Sequence, residues 1–419
     1  MLSWIVLNGV GPAPKMRLDF AKRITVLTGD NGFGKSFLLD VAWWTLTRTW
    51  AGNRALPRTG AEKPTIEYVV RGKTGDPKHT TSFYDRESEN WKRPAGRPTM
   101  PGIVIYARVD GSFSVWDPAR NYGNKSQKTG AFHFNERAVW DGLTVGGRKP
   151  CEGLIRDWVN WQKAKELQFE HLMKVLKTLS LPEEPISAAE PARVSRADGF
   201  DTPMIRTRYG VVPLTHASAG VRRVAGLAYL LVWAWREHGL ASKLLEQEPE
   251  RRIVLLVDEP ETHLHPKWQR LVLPALLRAT NVLMKSEHVD VQVVTATHSP
   301  LVLASLEPVF DEKRDSLCDL NLVTDEAGET QVAVTQVPWR LRGDVNAWLT
   351  SEVFDLKTTR SSEAEKVLDE AARAISNPAS VDKARAQKLD QSLRKVLGDT
   401  DPFWVRWRYV GEQKGWLAK

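Results

Sequence analysis

The octapeptide GDNGFGKS at residues 29–36 fits the pattern GxxxxGK[ST], and it stands between an apolar stretch and a helix-forming one. Glycines let backbone amides curl round a phosphate, a helix N-terminus adds a favourable dipole, and a lysine reaches the outer phosphates. Lys35 is therefore the candidate for the β- and γ-phosphates of a nucleotide and Ser36 for its Mg²⁺. Gly29, Asp30, Asn31, Gly32, Phe33, Gly34 and Phe37 complete the cradle. A chance glycine-rich turn meets the pattern alone, but not with strand and helix in place.

A second constellation, IVLLVDEPETHLHP at residues 253–266, puts two acids at the end of an apolar run. Ligands of open parallel sheets collect at the carboxyl ends of strands. Asp258 suits the hydration shell of Mg²⁺, and Glu259 suits the general base that orients and polarises a water. His298, in VVTATHSP, ends the next apolar run, where a neighbouring strand sets it beside the two acids as a γ-phosphate contact. Glu261, His263 and His265 are of metal-ligating type, but the rest of a ligand set is missing and a subunit-contact loop fits them better.

In THASAGVRR, residues 215–223, Ala217, Ala219 and Gly220 let backbone approach a phosphate closely, and Ser218 offers a hydroxyl. Arg222 and Arg223 oppose the dipole of the helix they open, by roughly 0.3–1 kcal/mol each. Either an anion arrives from outside or the two form a solvated flank.

Together GDNGFGKS, ASAGVRR, LLVDEPETHLHP and TATHSP, in that order, resemble the Walker A, signature, Walker B with D-loop, and switch-histidine motifs of ABC-type ATPases. The likeness is strongest to the soluble SMC, RecF and OLD-family branch and to ATPase subunits of bacterial anti-phage systems such as Septu. It spans roughly residues 1–310. The resemblance implies ATP and Mg²⁺ as cofactors, with Lys35, Glu259 and His298 catalytic and Ser36 and Asp258 on the metal. It also implies a head-to-tail homodimer, or a higher homo-oligomer, in which Ser218, Ala219 and Gly220 reach the γ-phosphate held by the other copy. Ala217 and Val221 depart from the family's usual Leu before the serine and Gln or Glu after the glycine.

The function implied by this resemblance is a conformational switch that controls a separate DNA-processing or nuclease effector in anti-phage defence, with DNA itself a further ligand. A RecF-like DNA-binding repair ATPase is the alternative. A transporter's nucleotide-binding subunit is less favoured, because DExExHLHP is not typical there. One modest helix between Walker A and signature falls short of the sustained heptads of SMC arms. Past residue 310 there is no Toprim pattern, and the absence of any histidine after His298 excludes an HNH nuclease there.

The elements that must position these residues are short strands at residues 4–7, 16–20 and 24–28 and a helix over 36–50. Strands at 65–70, 80–84, 103–106 and 113–116 read as an antiparallel patch. A helical insertion covers 154–179, an exposed linker 181–202, a strand 204–209 and a helix runs to about residue 238. Buried strands at 253–257 and 291–296 flank a helix over 267–283, which predicts a parallel sheet covered on both sides. Helices at 342–353, 362–375 and 381–396 close the chain. The expected fold is thus α/β: a P-loop NTPase with an ABC-type head (mixed or parallel sheet core, antiparallel β patch, helical insertion) and a C-terminal helical region. Its divisions are 1–150 (lobe I), 151–202 (insertion and linker), 203–338 (lobe II) and 339–419 (C-terminal helices).

Composition is ordinary for a globular chain: 419 residues, 42% of them hydrophobic. The net charge of +8 admits nucleic acid without demanding it, and the basic stretch 120–149 reads equally well as a solvated face. The longest apolar run, residues 224–235, is shorter than the roughly 18–20 residues that span a bilayer. No signal peptide is recognisable, and Cys151 and Cys318 match neither a zinc nor a disulfide pattern, so a cytoplasmic location is expected. Among 17 tryptophans most should be core; Trp404 and Trp407, in WVRW, have base stacking as the other reading.

Overall fold

Every residue of the strand Arg252–Asp258 is buried, and its alternate side chains enter two separate cores, which puts it at the centre of a sheet covered on both faces. In this computed structural model the described residues are 1–72, 78–93, 99–121, 130–283, 290–324 and 328–417. They form two units, Met1–Val345 and Asn346–Lys419.

The chain opens with β1 (Leu2–Asn8), β2 (Lys15–Asp19), β3 (Ile24–Gly29), α1 (Lys35–Thr47), β4 (Thr65–Val70), β5 (Lys78–Asp85) and β6 (Asn90–Trp91). Next come β7 (Ile103–Ala107), β8 (Phe113–Trp116), α2 (Pro118–Asn121), β9 (Phe132–Phe134), α3 (Glu136–Asp141), β10 (Leu143–Val145) and β11 (Arg148–Cys151). Then follow α4 (Leu154–Lys163), α5 (Leu167–Leu179), β12 (Ser187–Ala192), β13 (Thr202–Thr207), β14 (Gly210–Pro213) and α6 (Ala219–Leu244). The strand above is β15 (Arg252–Asp258), succeeded by α7 (Pro266–Gln269), α8 (Val272–Leu283), β16 (Asp290–Ala296), α9 (Pro300–Leu306), β17 (Asp315–Thr324) and β18 (Thr330–Val337). Helices α10 (Val345–Leu349), α11 (Ser362–Ser376), α12 (Lys383–Val396) and α13 (Phe403–Gln413) complete it.

The main sheet has the order β18-β17-β3-β16-β15-β7-β8-β9. Its five central strands are parallel, with antiparallel pairs at both edges. Ile253, Leu255 and Val257 pack on the face carrying α4, α5, α6 and α8, while Val254 and Leu256 pack on the face carrying α1. Helix α1 is apolar all round because it lies between this sheet and a second, antiparallel one of order β2-β1-β4-β5-β6. The register pairs Asp258 with Ala296 and Ala296 with Leu27, so β15, β16 and β3 end together at one edge.

Several expectations are corrected. The strands at residues 65–116 are not one antiparallel patch: β7, buried at all five positions, lies parallel beside β15 in the main sheet. The insertion is two helices, turned at Lys165 in left-handed conformation (φ 53°), and both are packed into the core. The supposed linker contains β12, paired antiparallel with β13. The helix over 267–283 is broken into α7 and α8, and α10 is all that forms within 342–353. Strands β10, β11, β14, β17 and β18 and helix α13 were unforeseen. In the basic stretch Arg137 pairs with Asp141 at 3.1 Å and Lys149 with Glu152 at 2.6 Å; Lys125 and Lys128 lie outside the described residues. Trp404 and Trp407 are buried in the second unit's own core with Leu389, Leu393 and Trp416, which removes them as base-stacking platforms. Among the described residues no helix is long and apolar enough to cross a membrane.

Candidate active site

The phosphate-loop glycines hold backbone that other residues resist. Gly29, Gly32 and Gly34 stand at φ 121°, 83° and 97°. Gly34 caps α1 without a side-chain hydrogen bond, and no acid occupies the first turn, so the helix's first amides keep their capacity for an anion. Asp30, Asn31 and Ser36 are exposed, Phe33 is half-buried, and the ring of Phe37 lies beneath Gly11, where a Cβ would meet it at 2.4 Å. The Lys35 ammonium folds back to donate to the carbonyls of Gly29 and Asp30, both at 2.8 Å. Burial lowers its pKa, opposed by the carboxylates of Glu259, Asp258, Asp30 and Asp319.

Asp258 is buried at the end of β15. Burial raises its pKa, the Ser36 hydroxyl opposes this by hydrogen bonding, and neighbouring Glu259 adds to the rise. Its Oδ1 has no hydrogen-bond partner among the described residues. An unmet buried carboxylate oxygen beside a serine hydroxyl is the hard-oxygen donor set that Mg²⁺ takes. These residues fit the ion.

Glu259 follows in left-handed backbone (φ 47°), with its amide donating to the Ala296 carbonyl at 2.9 Å. The Thr262 hydroxyl donates to its Oε2 at 3.2 Å, and His298 Nε2 lies 3.8 Å from its Oε1. Burial, reinforced by Lys35, lowers the His298 pKa, while Glu259 and Asp30 pull it up, so the neutral imidazole is favoured. Lys35, Ser36, Asp258, Glu259 and His298 thus converge on the shared strand edge.

Glu261 turns inward instead: its Oε1 accepts from the Thr297 hydroxyl and the His298 amide, both at 2.8 Å, fixing the strand end that bears His298. His263 and His265 are exposed, and His265 accepts from the Lys267 amide at the start of α7. Gln269 joins the two loops, donating to the Leu264 carbonyl at 3.0 Å and accepting from the Ser299 hydroxyl at 2.8 Å.

Ser218 and Ala219 are exposed at the N-terminus of α6, with the Ser218 hydroxyl accepting from the Val221 amide at 3.4 Å. Gly220 lies against the D-loop, where a Cβ would stand 3.2 Å from the His263 carbonyl. Arg223 donates to the carbonyls of Arg108 at 2.7 Å and Val109 at 3.4 Å, tying α6 to the end of β7.

Two residues escaped the sequence reading. Arg108 follows β7, so its charge comes to the same edge, where it acts on both Asp40 and Asp258. Asp40, in the second turn of α1, is raised to about 6 by burial, against the pull of Arg108 and a hydrogen bond from Tyr106. The run IVIYA before Arg108 carried the signal: apolar on both faces, it reads as a central parallel strand whose end belongs to the site.

A family model described as "AAA domain, putative AbiEii toxin, Type IV TA system" matches residues 138–304, the span that holds ASAGVRR, LLVDEPETHLHP and TATHSP. Over that span the chain is similar to this family of AAA-type ATPase domains. Among curated proteins it is similar to "Retron Ec83 probable ATPase" of Escherichia coli, 24% identical over 166 residues. That likeness covers 39% of this chain and 26% of the relative. Among solved structures, an SMC head domain from Thermotoga maritima matches with a TM-score of 0.39, 16% identity, 81% of this chain and 99% of that one. A structure of the recombination mediator RecF matches with a TM-score of 0.38, 12% identity, 81% of this chain and 98% of the other.

Proposed function

We propose that this ATPase binds and hydrolyses ATP between two copies arranged head to tail, and that closure on ATP and opening after hydrolysis switch a separate nucleic-acid-processing effector. The carrying observation is that Glu259 and His298, 3.8 Å apart, stand with Asp258 at the strand edge where Lys35 of α1 also arrives. In that arrangement Lys35 leaves the loop carbonyls for the β- and γ-phosphates, and loop and α1 amides hold the rest of the chain of phosphates. Ser36 and Asp258 would hold Mg²⁺, whose chemistry there is neutralising charge on the phosphate oxygens. Glu259 orients a water and accepts its proton as the water oxygen bonds to the γ-phosphorus and the bond to the β-bridging oxygen breaks, giving ADP and phosphate. His298 supplies a hydrogen bond to the γ-phosphate. Ser218, Ala219 and Gly220 contact that phosphate from the second copy, which the exposure of Ser218 and Ala219 at a helix start supports. Residues 1–150 and 203–338 act as the two lobes of each head.

The DExExHLHP form and the retron relative support placement beside an effector in anti-phage defence, with DNA as a further ligand. Two buried free cysteines support a reducing, cytoplasmic setting. The test is Glu259→Gln. Turnover should fall by about 10²–10⁴-fold, while light scattering with ATP and Mg²⁺ shows a dimer that wild type forms only transiently. A Glu259→Gln protein that stays monomeric with ATP, or hydrolyses at the wild-type rate, overturns the proposal.

A further inference from the structure

Around the C-terminal end of α1, away from the residues assigned above, lies a cavity of about 500 Å³ lined by Trp44, Trp50, Trp91, Arg48, Arg54 and Arg93, with Asn90 beside them. Three indoles, of which Trp50 is half-buried and Trp44 and Trp91 lie buried behind it, and three guanidiniums line it, and no carboxylate is among the described lining residues. The indole wall is built in advance. Trp44 and Trp50 stack with ring centroids 5.5 Å apart and 20° between planes, Trp91 tilts against Trp44 at 6.3 Å, and the Trp91 N–H is pinned to the Ala55 carbonyl at 2.8 Å. The Trp50 indole N–H is buried with no acceptor among the described residues. Arg54, Asn90 and Arg93 are exposed.

A ligand that suits this lining has an anionic part for the arginines and a flat aromatic part for the indoles. An inorganic anion makes no use of the tryptophans, and an apolar ligand makes none of the three positive charges. A nucleobase bearing a phosphate meets both demands: bases stack on indoles, guanidiniums hold phosphate, and an amide such as Asn90 matches the donor and acceptor edge of a base. The volume lies in the range of small-molecule pockets, roughly 300–1,000 Å³. We propose that this cavity is a second nucleotide-recognition site, distinct from the phosphate loop, which takes a base against the tryptophan wall and its phosphate between Arg48, Arg54 and Arg93.

The nucleotide is either free or part of a single strand, and two probes separate these sources. The full-length chain is titrated with AMP by calorimetry and with fluorescein-labelled single-stranded oligo-deoxythymidine by anisotropy. Both titrations are repeated with Arg54→Ala/Arg93→Ala, with Trp50→Ala and with Lys35→Ala, which disables the phosphate loop but leaves this cavity intact. Arg54 and Arg93 are exposed, so the double variant keeps its fold, as circular dichroism checks. The expected result is that one probe binds wild type and Lys35→Ala alike. The double arginine variant weakens it by about tenfold or more, and Trp50→Ala by about fivefold or more. For the oligonucleotide, the slope of log K against log salt should fall by about 1.4 on losing two phosphate contacts. Binding of AMP alone identifies a free nucleotide; binding of the oligonucleotide identifies a strand. The proposal is overturned if neither probe binds wild type at low salt, if the double arginine variant binds within twofold of wild type, or if only Lys35→Ala loses binding.

Discussion

Gly29 and Gly32 lie three positions apart in one loop, both at positive φ, yet their surroundings differ sharply. A Cβ on Gly29 would stand 2.2 Å from the Leu320 carbonyl of the adjacent strand β17, whereas one on Gly32 meets nothing within 4 Å. Alanine at Gly32 therefore incurs the left-handed backbone cost alone, about 1–2 kcal/mol. Alanine at Gly29 adds a collision with paired backbone, since Gly29 and Leu320 are register partners, and should cost about 3 kcal/mol or more. Urea denaturation of the two variants checks this, and equal losses would refute the role of the strand contact. The motif itself marks both glycines alike. What distinguishes them is β17, which sequence patterning did not reveal, so the loop's glycine pattern is legible in the sequence and its steric tolerance is not.

Between elements, the link from α4 to α6 makes stability depend on pH. The Tyr229 hydroxyl of α6 donates to Asp157 of α4 at 2.6 Å, and Cys151 Sγ lies 3.0 Å from the same hydroxyl. Burial raises Asp157 to about 6, against the Tyr229 hydrogen bond and Arg236. A carboxyl raised on folding from its ordinary value near 3.8 favours the native state while protonated, and that advantage is lost as pH climbs through about 6. A shift of this size corresponds to about 3 kcal/mol. Asp157→Asn keeps an acceptor for Tyr229 and does not titrate, so its stability relative to wild type should rise between pH 4 and pH 7. Thermal melts across that range test it; a pH-independent difference would show that Asp157 is not held protonated. This pairing also shows where sequence reading stops. The apolar spacing of α5 and α6 and the unbroken apolar runs of β15 and β16 were readable, because periodicity and burial coincide there. Strand β12, SAAEPA, carries Pro191 and little β-forming tendency, and it is a strand because it lies at the edge of a three-stranded sheet beside β13. Breaks such as Lys165 depend on one residue taking a left-handed conformation, which composition does not announce. At the candidate site the four motifs are legible as local strings, and Asp40 follows Ser36 by about one turn of α1, while Arg108 joins them only through the order of strands in the sheet.

At the scale of the whole molecule, the candidate site residues all fall in Met1–Val345, and the unit Asn346–Lys419 has its own core. Trp407 is central to that core: fully buried, it donates its indole N–H to Asp390 at 3.0 Å and packs on Trp416 with ring centroids 5.9 Å apart. Removing such a side chain costs about 3–5 kcal/mol, and Asp390 loses a donor besides. A unit of this size rarely has more than about 3–5 kcal/mol to lose, so Trp407→Ala should unfold it. Val405, two residues away on the same helix and 77% exposed, provides the control, since Val405→Ala should change little. Limited proteolysis with mass spectrometry separates the outcomes. Trp407→Ala should gain cleavage sites within residues 346–419 while a fragment covering residues 1–345 survives. If Trp407→Ala resists protease as wild type does, the tryptophan core does not hold that unit together. If both units are cleaved at the same rate, the two fold as one, and the second unit's core is not sufficient for its own stability.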